Sequence, residues 1–182
     1  MKKIMFNDRF RLTQAVLEGR KTMTRRVCKG EIPLGNWEET EKHATYHVGE
    51  VVAIAQNYND VLEEWKKGYG QGIFLSPKDE AGMTNKMFVR ADDMPHHIKI
   101  TNIRVEHLQD ISDEDCLREG IYMDYDEHGG LYTTPYYDYP NNKHNGFDTP
   151  REAFAALIDK VSGRGTWDSN PLVWVYEFEL VD

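Results

Sequence analysis

Residues 18–26 read EGRKTMTRR, and this stretch places four cations and two threonines directly after a glycine. Apolar residues at helical spacing precede it between residues 12 and 16, so we expect a short helix with Gly19 as its C-terminal cap. Residues 22–27 have the composition of a short extended segment. The basic stretch is therefore predicted to form the turn between a helix and a strand.

The alternation of a strand divides these polar side chains between two faces. Thr22, Thr24 and Arg26 are expected on one face and Arg25 on the other, with Lys21 in the turn before them. Like charges nearby disfavour an ammonium group, so the pKa of Lys21 is expected to be lowered. A neutral amine can activate a threonine hydroxyl, and an arginine can stabilise an oxyanion. The simpler interpretation is a solvated basic turn.

A second unusual position is Glu119. Residues 112–120, SDEDCLREG, predict a compact helix that Ser112 caps and Gly120 ends, with three acidic residues in its first turn. Glu119 stands at the C-terminal end, where the helix dipole disfavours an anion. It is thus expected to have a cationic partner elsewhere, and the basic turn is a candidate, although Arg118 and water could also suffice.

The rest of the chain predicts an α+β, mostly β fold: a small, largely antiparallel β-barrel with peripheral short helices and inserted loops. The long strand IKITNIRVEHL, residues 98–108, loses its alternation at Asn102, where we expect a bulge. Residues 121–147 contain six tyrosines and are expected to form a long folded loop. The remaining predicted elements are strands at 2–6, 47–56, 87–91 and 171–182 and helices at 61–67 and 149–163.

Length and composition favour one globular domain spanning residues 1–182. The net charge of -9 argues against sequence-blind attraction to duplex phosphates, but allows one nucleotide in a local basic pocket. Neither a secretory signal nor a membrane-spanning run is expected, so the predicted location is the cytoplasm. Cys28 and Cys116 are expected to be reduced thiols.

These residues carry a family resemblance. Gly19, Lys21, Thr24 and Arg26 stand in the order G-x-K-x-x-T-x-R. Together with the VGEVV strand and the strand leading into LQDISDEDCLREGI, this pattern resembles the ASCH domain, a member of the PUA-like barrel superfamily. The resemblance implies a PUA-like barrel for this chain.

The resemblance also implies roles for particular side chains. In the bacterial N(4)-acetylcytidine amidohydrolases of this family, a lysine, a threonine and a glutamate that ends a later short helix form the catalytic set. Lys21, Thr24 and Glu119 occupy the matching positions. Lysine would activate threonine, and glutamate would serve as acid and base. The candidate ligand contacts are Thr22, Arg25 and Arg26.

Three segments are additional to those compact enzymes: residues 28–45, 57–86 and 122–169. This longer layout is similar to ASCH proteins of phages and prophages, whose role is generally unassigned. The third insertion could cap, reshape or fill the predicted cleft.

Three functions are therefore considered. The first is a module that binds a nucleobase, a modified nucleoside or single-stranded RNA. The second is an amidohydrolase that removes an acyl group from an N-acylated cytidine-type nucleoside. The third is a phage-type accessory protein that acts through contacts with an unknown protein partner.

Neither a cofactor nor a metal is predicted. His43 and His47 have zinc-ligand spacing, but their surroundings do not predict a helix and no third ligand follows. GYGQG, residues 68–72, lacks the Lys-Ser/Thr of a phosphate loop and is expected to be a mobile turn. The tyrosines of 122–139 could stack on bases, but their acidic neighbours favour packing within the loop.

Overall fold

The structure is a computed structural model that describes residues 1–68, 77–125, 135–142 and 146–182. It shows a mixed α+β architecture in which one five-stranded sheet is flanked by helices. The helices are α1 Leu12–Leu17, α2 Trp37–Glu41, α3 Tyr58–Gly68, α4 Asp113–Arg118, α5 Pro150–Ser162 and α6 Thr166–Ser169. The strands are β1 Lys3–Ile4, β2 Met23–Val27, β3 Val51–Ile54, β4 His97–His107, β5 Tyr122–Tyr125, β6 Pro135–Asp138 and β7 Leu172–Leu180. None of the described helices is long and apolar enough to cross a membrane.

The main sheet is open in its strand order, β1-β3-β4-β7-β2. β1 pairs with β3 in parallel, and the other neighbours are antiparallel. The predicted closed barrel is not found among the described residues, because β1 and β2 form the two edges without pairing to each other. β1 is only two residues long, so it offers too little backbone to close the sheet. The prediction that strands dominate is also wrong, since α3 and α5 rival the longest strands in length.

The centre of the sheet is the pair formed by β4 and β7. Both strands carry long runs of β-branched and aromatic residues, which pack well on a pleated surface. The register shifts between Ile100 and Asn102, so the predicted bulge is confirmed. A bulge bends the strand and increases its local twist.

Two helices begin as their sequences predict. The Ser112 side chain accepts a hydrogen bond from the Asp115 backbone N–H at the start of α4. Thr149 does the same for Glu152 at the start of α5, with Pro150 in the first turn. Phe154 and Leu157 of α5 are buried in the main core. The caps satisfy backbone donors that helices otherwise leave unpaired.

Two other segments differ from expectation. Residues 87–91, predicted as a strand, do not form one: Met87 and Phe88 end one 3-10 turn, Ala91 begins another, and Val89 and Arg90 link the two. The Asn85 side chain accepts a hydrogen bond from the Met87 N–H, which favours a turn over a sheet pairing. Part of the predicted tyrosine loop forms the antiparallel pair β5–β6. Residues 69–72 of GYGQG, and Tyr132, lie outside the described residues.

Candidate functional site

A cavity of about 580 Å³ lies between the two edges of the open sheet. Met5 and Phe6, which follow β1, line one side, and Thr24 and Arg26 of β2 line the other. The cavity thus lies where a closed barrel would pair the two edge strands of this sheet, β1 and β2. Its volume is within the range of pockets that hold small molecules.

The basic turn is held in position by backbone hydrogen bonds to two helices, α1 and α4. Gly19 adopts a left-handed conformation with φ 72, which lets the chain leave α1 sharply. Lys21 N–H then donates to the Ala15 carbonyl at 2.9 Å. Thr22 N–H donates to the Arg118 carbonyl at 3.0 Å. These bonds bring the turn against the C-terminal end of α4, which carries Glu119.

Lys21 and Glu119 form a buried ion pair at the floor of the cavity. Lys21 Nζ lies 2.6 Å from Glu119 Oε2 and 2.7 Å from the Glu119 carbonyl oxygen. Both side chains are almost fully buried. The acid at the disfavoured end of α4 therefore has the cationic partner that its position predicts. Gly120, with φ 105, turns the chain away directly after it.

Arg25 holds the other oxygen of the same carboxylate. Its Nη1 donates to Glu119 Oε1 at 3.2 Å and to Met23 Sδ at 3.1 Å. Nε and Nη2 donate to Glu106, and Nη2 also donates to Asp115 at 2.8 Å. All five N–H groups of Arg25 are thereby occupied. Although Arg25 lines the cavity, it has no free donor for a ligand, unlike the sequence-based expectation.

Burial lowers the pKa of Lys21 below its usual range. The charge of Glu119 and its hydrogen bond oppose this effect, while Arg26 and Arg25 add a smaller lowering. The predicted direction is confirmed, but the principal cause is loss of solvent rather than repulsion between cations. A lysine with a lowered pKa is nearer to the neutral form that can accept a proton.

Thr24 lies on the cavity face of β2, opposite Tyr176 of β7. It is 5% exposed, and its hydroxyl makes no hydrogen bond in the part of the chain that the structure describes. Thr22 is not among the lining residues, and its Oγ1 accepts from Arg118 Nε at 3.3 Å. Thr22 precedes β2, so the alternation assumed from the sequence does not extend to it. The structure therefore brings Lys21, Thr24, Arg26 and Glu119 together and leaves Thr22 outside.

The walls of the cavity are aromatic. Tyr176 and Trp174 of β7 have ring centroids 6.3 Å apart at an interplanar angle of 23°. Tyr46 meets Tyr176 edge-on, with centroids 5.3 Å apart. Phe6 completes this set on the opposite side of the gap. The alternation of bulky residues in the last strand indicates an inner face, but nothing in the sequence indicates that this face borders a cavity.

Two of the predicted insertions contribute to the lining. Phe154, Leu157 and Ile158 of α5 form an apolar wall, and Lys29 and Ile32 lie on the approach from the first insertion. The third predicted insertion therefore lines the cavity through α5 and does not fill it with these side chains. Sequence reasoning missed this role because the amphipathic pattern of α5 shows only that one face is buried.

Thiol and metal chemistry receive no support from the described residues. Cys28 and Cys116 are free, and burial raises the pKa of both thiols, to about 12 for Cys116. A reactive cysteine needs a lowered pKa. No cluster of three or more His, Cys, Asp or Glu side chains suitable for a metal occurs in these parts of the chain. His43 lies on the exposed rim of the cavity.

Comparison with protein-family profiles, with curated proteins and with solved structures gives no match to this chain.

Proposed function

We propose that the chain is an ASCH-type domain whose cavity binds a nucleobase or a modified nucleoside. The observation that carries this proposal is the combination of aromatic walls and a polar floor in one cavity. Flat aromatic side chains stack on bases of any sequence, and a few convergent polar groups fix the orientation of the base. The arrangement of Lys21, Thr24 and Arg26 around this cavity, directly after Gly19 in the chain, supports the ASCH-type, PUA-like assignment.

The floor offers complementary groups to the edge of a base. Thr24 can donate or accept a hydrogen bond, and the carboxylate of Glu119 can accept one from an exocyclic amine. Each Glu119 oxygen already accepts from one cation, and a carboxylate oxygen has room for a second donor. A single-stranded RNA would enter as one splayed base, because the net charge of -9 disfavours a broad phosphate contact.

Titration of the isotope-labelled protein with nucleosides and short RNAs tests this proposal by NMR. Shifts are expected at residues 21–26 and at Tyr176. A Thr24→Val variant, which keeps the shape but removes the hydroxyl, should bind more weakly by roughly 3–10-fold. Shifts confined to β5 and β6, or no response to any of these ligands, would reject the cavity as the binding site. The second result would favour an accessory protein that acts through protein contacts.

A second candidate, hydrolysis of an N-acylated cytidine-type nucleoside, is favoured by the unpartnered Thr24 hydroxyl near a lysine of lowered pKa. Thr24 Oγ would attack the acyl carbon while neutral Lys21 takes its proton. The C–N bond breaks, and the departing amine receives that proton. Water then attacks the threonine ester, Glu119 accepts a water proton, and Thr24 regains a proton as the carboxylic acid leaves.

Release of cytidine from N(4)-acetylcytidine measures this activity directly. Thr24→Val and Lys21→Met should each remove turnover while the folded state persists, whereas Thr22→Val should leave it unchanged because Thr22 lies outside the cavity. No turnover at high enzyme concentration across several acyl groups would exclude the hydrolase and leave the binding proposal standing.

A further inference from the structure

The cavity is positively charged in a protein that is negatively charged overall. Four cationic side chains are among its described lining residues, Lys21, Arg25, Arg26 and Lys29, and Glu119 is the one anionic side chain among them. The whole chain carries a net charge of -9. A concave, low-dielectric surface focuses such a local field, so it attracts anions despite the opposite sign of the whole protein.

Two of these cations are already neutralised. Lys21 is paired with Glu119, and Arg25 is surrounded by Glu106, Asp115 and Glu119. Their charges complete buried networks and do not require a ligand.

The other two cations have no anionic partner in the described chain. Arg26 Nη2 donates to the Met5 carbonyl at 2.6 Å, but Arg26 Nε is buried and has no acceptor there. The Lys29 side chain is exposed at the cavity and makes neither an ion pair nor a hydrogen bond with described residues. A buried donor without an acceptor destabilises the folded state. Arg26 Nη1 also makes no hydrogen bond with described residues and, unlike Nε, is not enclosed, so a ligand oxygen can bind the guanidinium there.

Packing against Phe6 does not satisfy the hydrogen-bond donors of Arg26. Its guanidinium carbon lies 5.9 Å from the centroid of the Phe6 ring. This contact provides no acceptor for the N–H groups of Nε and Nη1. A planar fork of donors matches two oxygens of a phosphate, whereas a base carbonyl offers only one.

From this geometry we infer that the preferred ligand is a nucleoside monophosphate, whose phosphate is bound by Arg26 and Lys29 while the base lies against Tyr176 and Trp174. Arg26 and Trp174 are directly opposite each other in the β2–β7 register, so phosphate and base sites are adjacent. This inference rests on the proposed nucleoside site and adds the chemical class of its ligand.

Calorimetric titration with each nucleoside, its 5′-monophosphate and inorganic phosphate tests the inference. The monophosphate should bind about tenfold or more tightly than the nucleoside, and the difference should shrink as salt is added. Arg26→Met should remove most of this difference. Lys29→Met should have a smaller effect in the same direction, because Lys29 is exposed.

Lys160→Met is the matched control: Lys160 is exposed on α5, the helix that lines the cavity, but is not itself a lining residue. Equal affinity for nucleoside and monophosphate would overturn the phosphate inference and leave the nucleoside proposal intact. Binding of inorganic phosphate alone, lost in Arg26→Met, would support the anion site and reject the nucleoside site. No binding of any of the three probes would overturn both.

Discussion

Arg25 and Arg26 are neighbours in the chain on alternating sides of β2, although atoms of both line the cavity. Arg25 enters a network of buried ion pairs with Glu106, Asp115 and Glu119. Arg26 borders the cavity, and its one hydrogen bond within the described structure is to the Met5 carbonyl. The same residue type is structural on one face and available on the other, because strand alternation places one against acids and the other against aromatic rings.

Glu119 connects the two faces. One of its oxygens is bound by Arg25 and the other by Lys21. The ionic face, formed by Arg25 with Glu106 and Asp115, therefore holds the Glu119 carboxylate at the cavity. A basic sequence motif can thus divide its charges between a buried network of ion pairs and the lining of a cavity.

The largest expected effect is on the ionic face. Arg25→Met leaves three carboxylates without their shared cation and should lower the free energy of unfolding by about 3–5 kcal/mol. Arg26→Met should change it by less than about 1 kcal/mol, because no ion pair is broken. Chemical denaturation of both variants measures the difference. Similar losses in the free energy of unfolding for the two variants would contradict the assignment of a structural role to Arg25 and not to Arg26.

The second expected effect concerns the ion pair between Glu119 and Lys21. Glu119→Gln removes the charge that stabilises the buried Lys21 ammonium, so the free energy of unfolding should fall by about 3 kcal/mol. The pKa of Lys21 should fall further, since the Glu119 charge opposes the lowering caused by burial. NMR titration of the lysine side chain measures this shift. Glu179→Gln, at an exposed position of β7, is the control and should leave both quantities unchanged.

A third, smaller effect concerns the turn that carries Glu119. Gly120 has φ 105, and a Cβ there would lie 3.3 Å from Leu12 Cδ2. Gly120→Ala should lower the free energy of unfolding by about 1–3 kcal/mol. Gly49→Ala is the matched control, because φ is 84 there but the added methyl meets open space. An equal loss in both variants would show that backbone strain alone matters and that Leu12 does not constrain this turn.

The smallest effect is the acid dependence of Glu177, which pairs with Arg104 and Arg118 beside the ionic face. Burial tends to raise the pKa of Glu177, but hydrogen bonds from Arg118 and Asn102 and nearby charges hold it below its ordinary value of 4.5. A carboxyl with a lower pKa in the folded state stabilises the protein above pH 4.5, and this stabilisation is lost as the pH falls through the folded-state value.

Wild type should therefore exceed Glu177→Gln in stability by about 1 kcal/mol near neutral pH, and the gap should narrow below pH 4.5. Denaturation midpoints across this range measure the gap. Arg26→Met, on the cavity face, should show a constant difference from wild type over the same range. A gap for Glu177→Gln that persists in acid would indicate lost packing and not lost charge.

Interactions between residues close together in sequence determined several features of this protein. The caps of α4 and α5, the bulge at Asn102 and the need of Glu119 for a cation follow from residues close together in the chain. Each depends on backbone donors, side-chain alternation or a helix dipole, which act over a few residues. The same reasoning failed at residues 87–91, where Asn85 favours a turn over the strand that the apolar residues predict.

Tertiary structure alone decided where these elements leave space. No local pattern indicates that β1 is too short to close the sheet, that α5 lines the resulting gap, or that Arg25 is fully occupied while Arg26 is not. Closure and the pairing of charges depend on contacts between residues far apart in sequence. Local propensity carries no information about such contacts. The sequence therefore indicates which chemical groups are candidates for a site, and the packing of the chain determines which of them face the cavity.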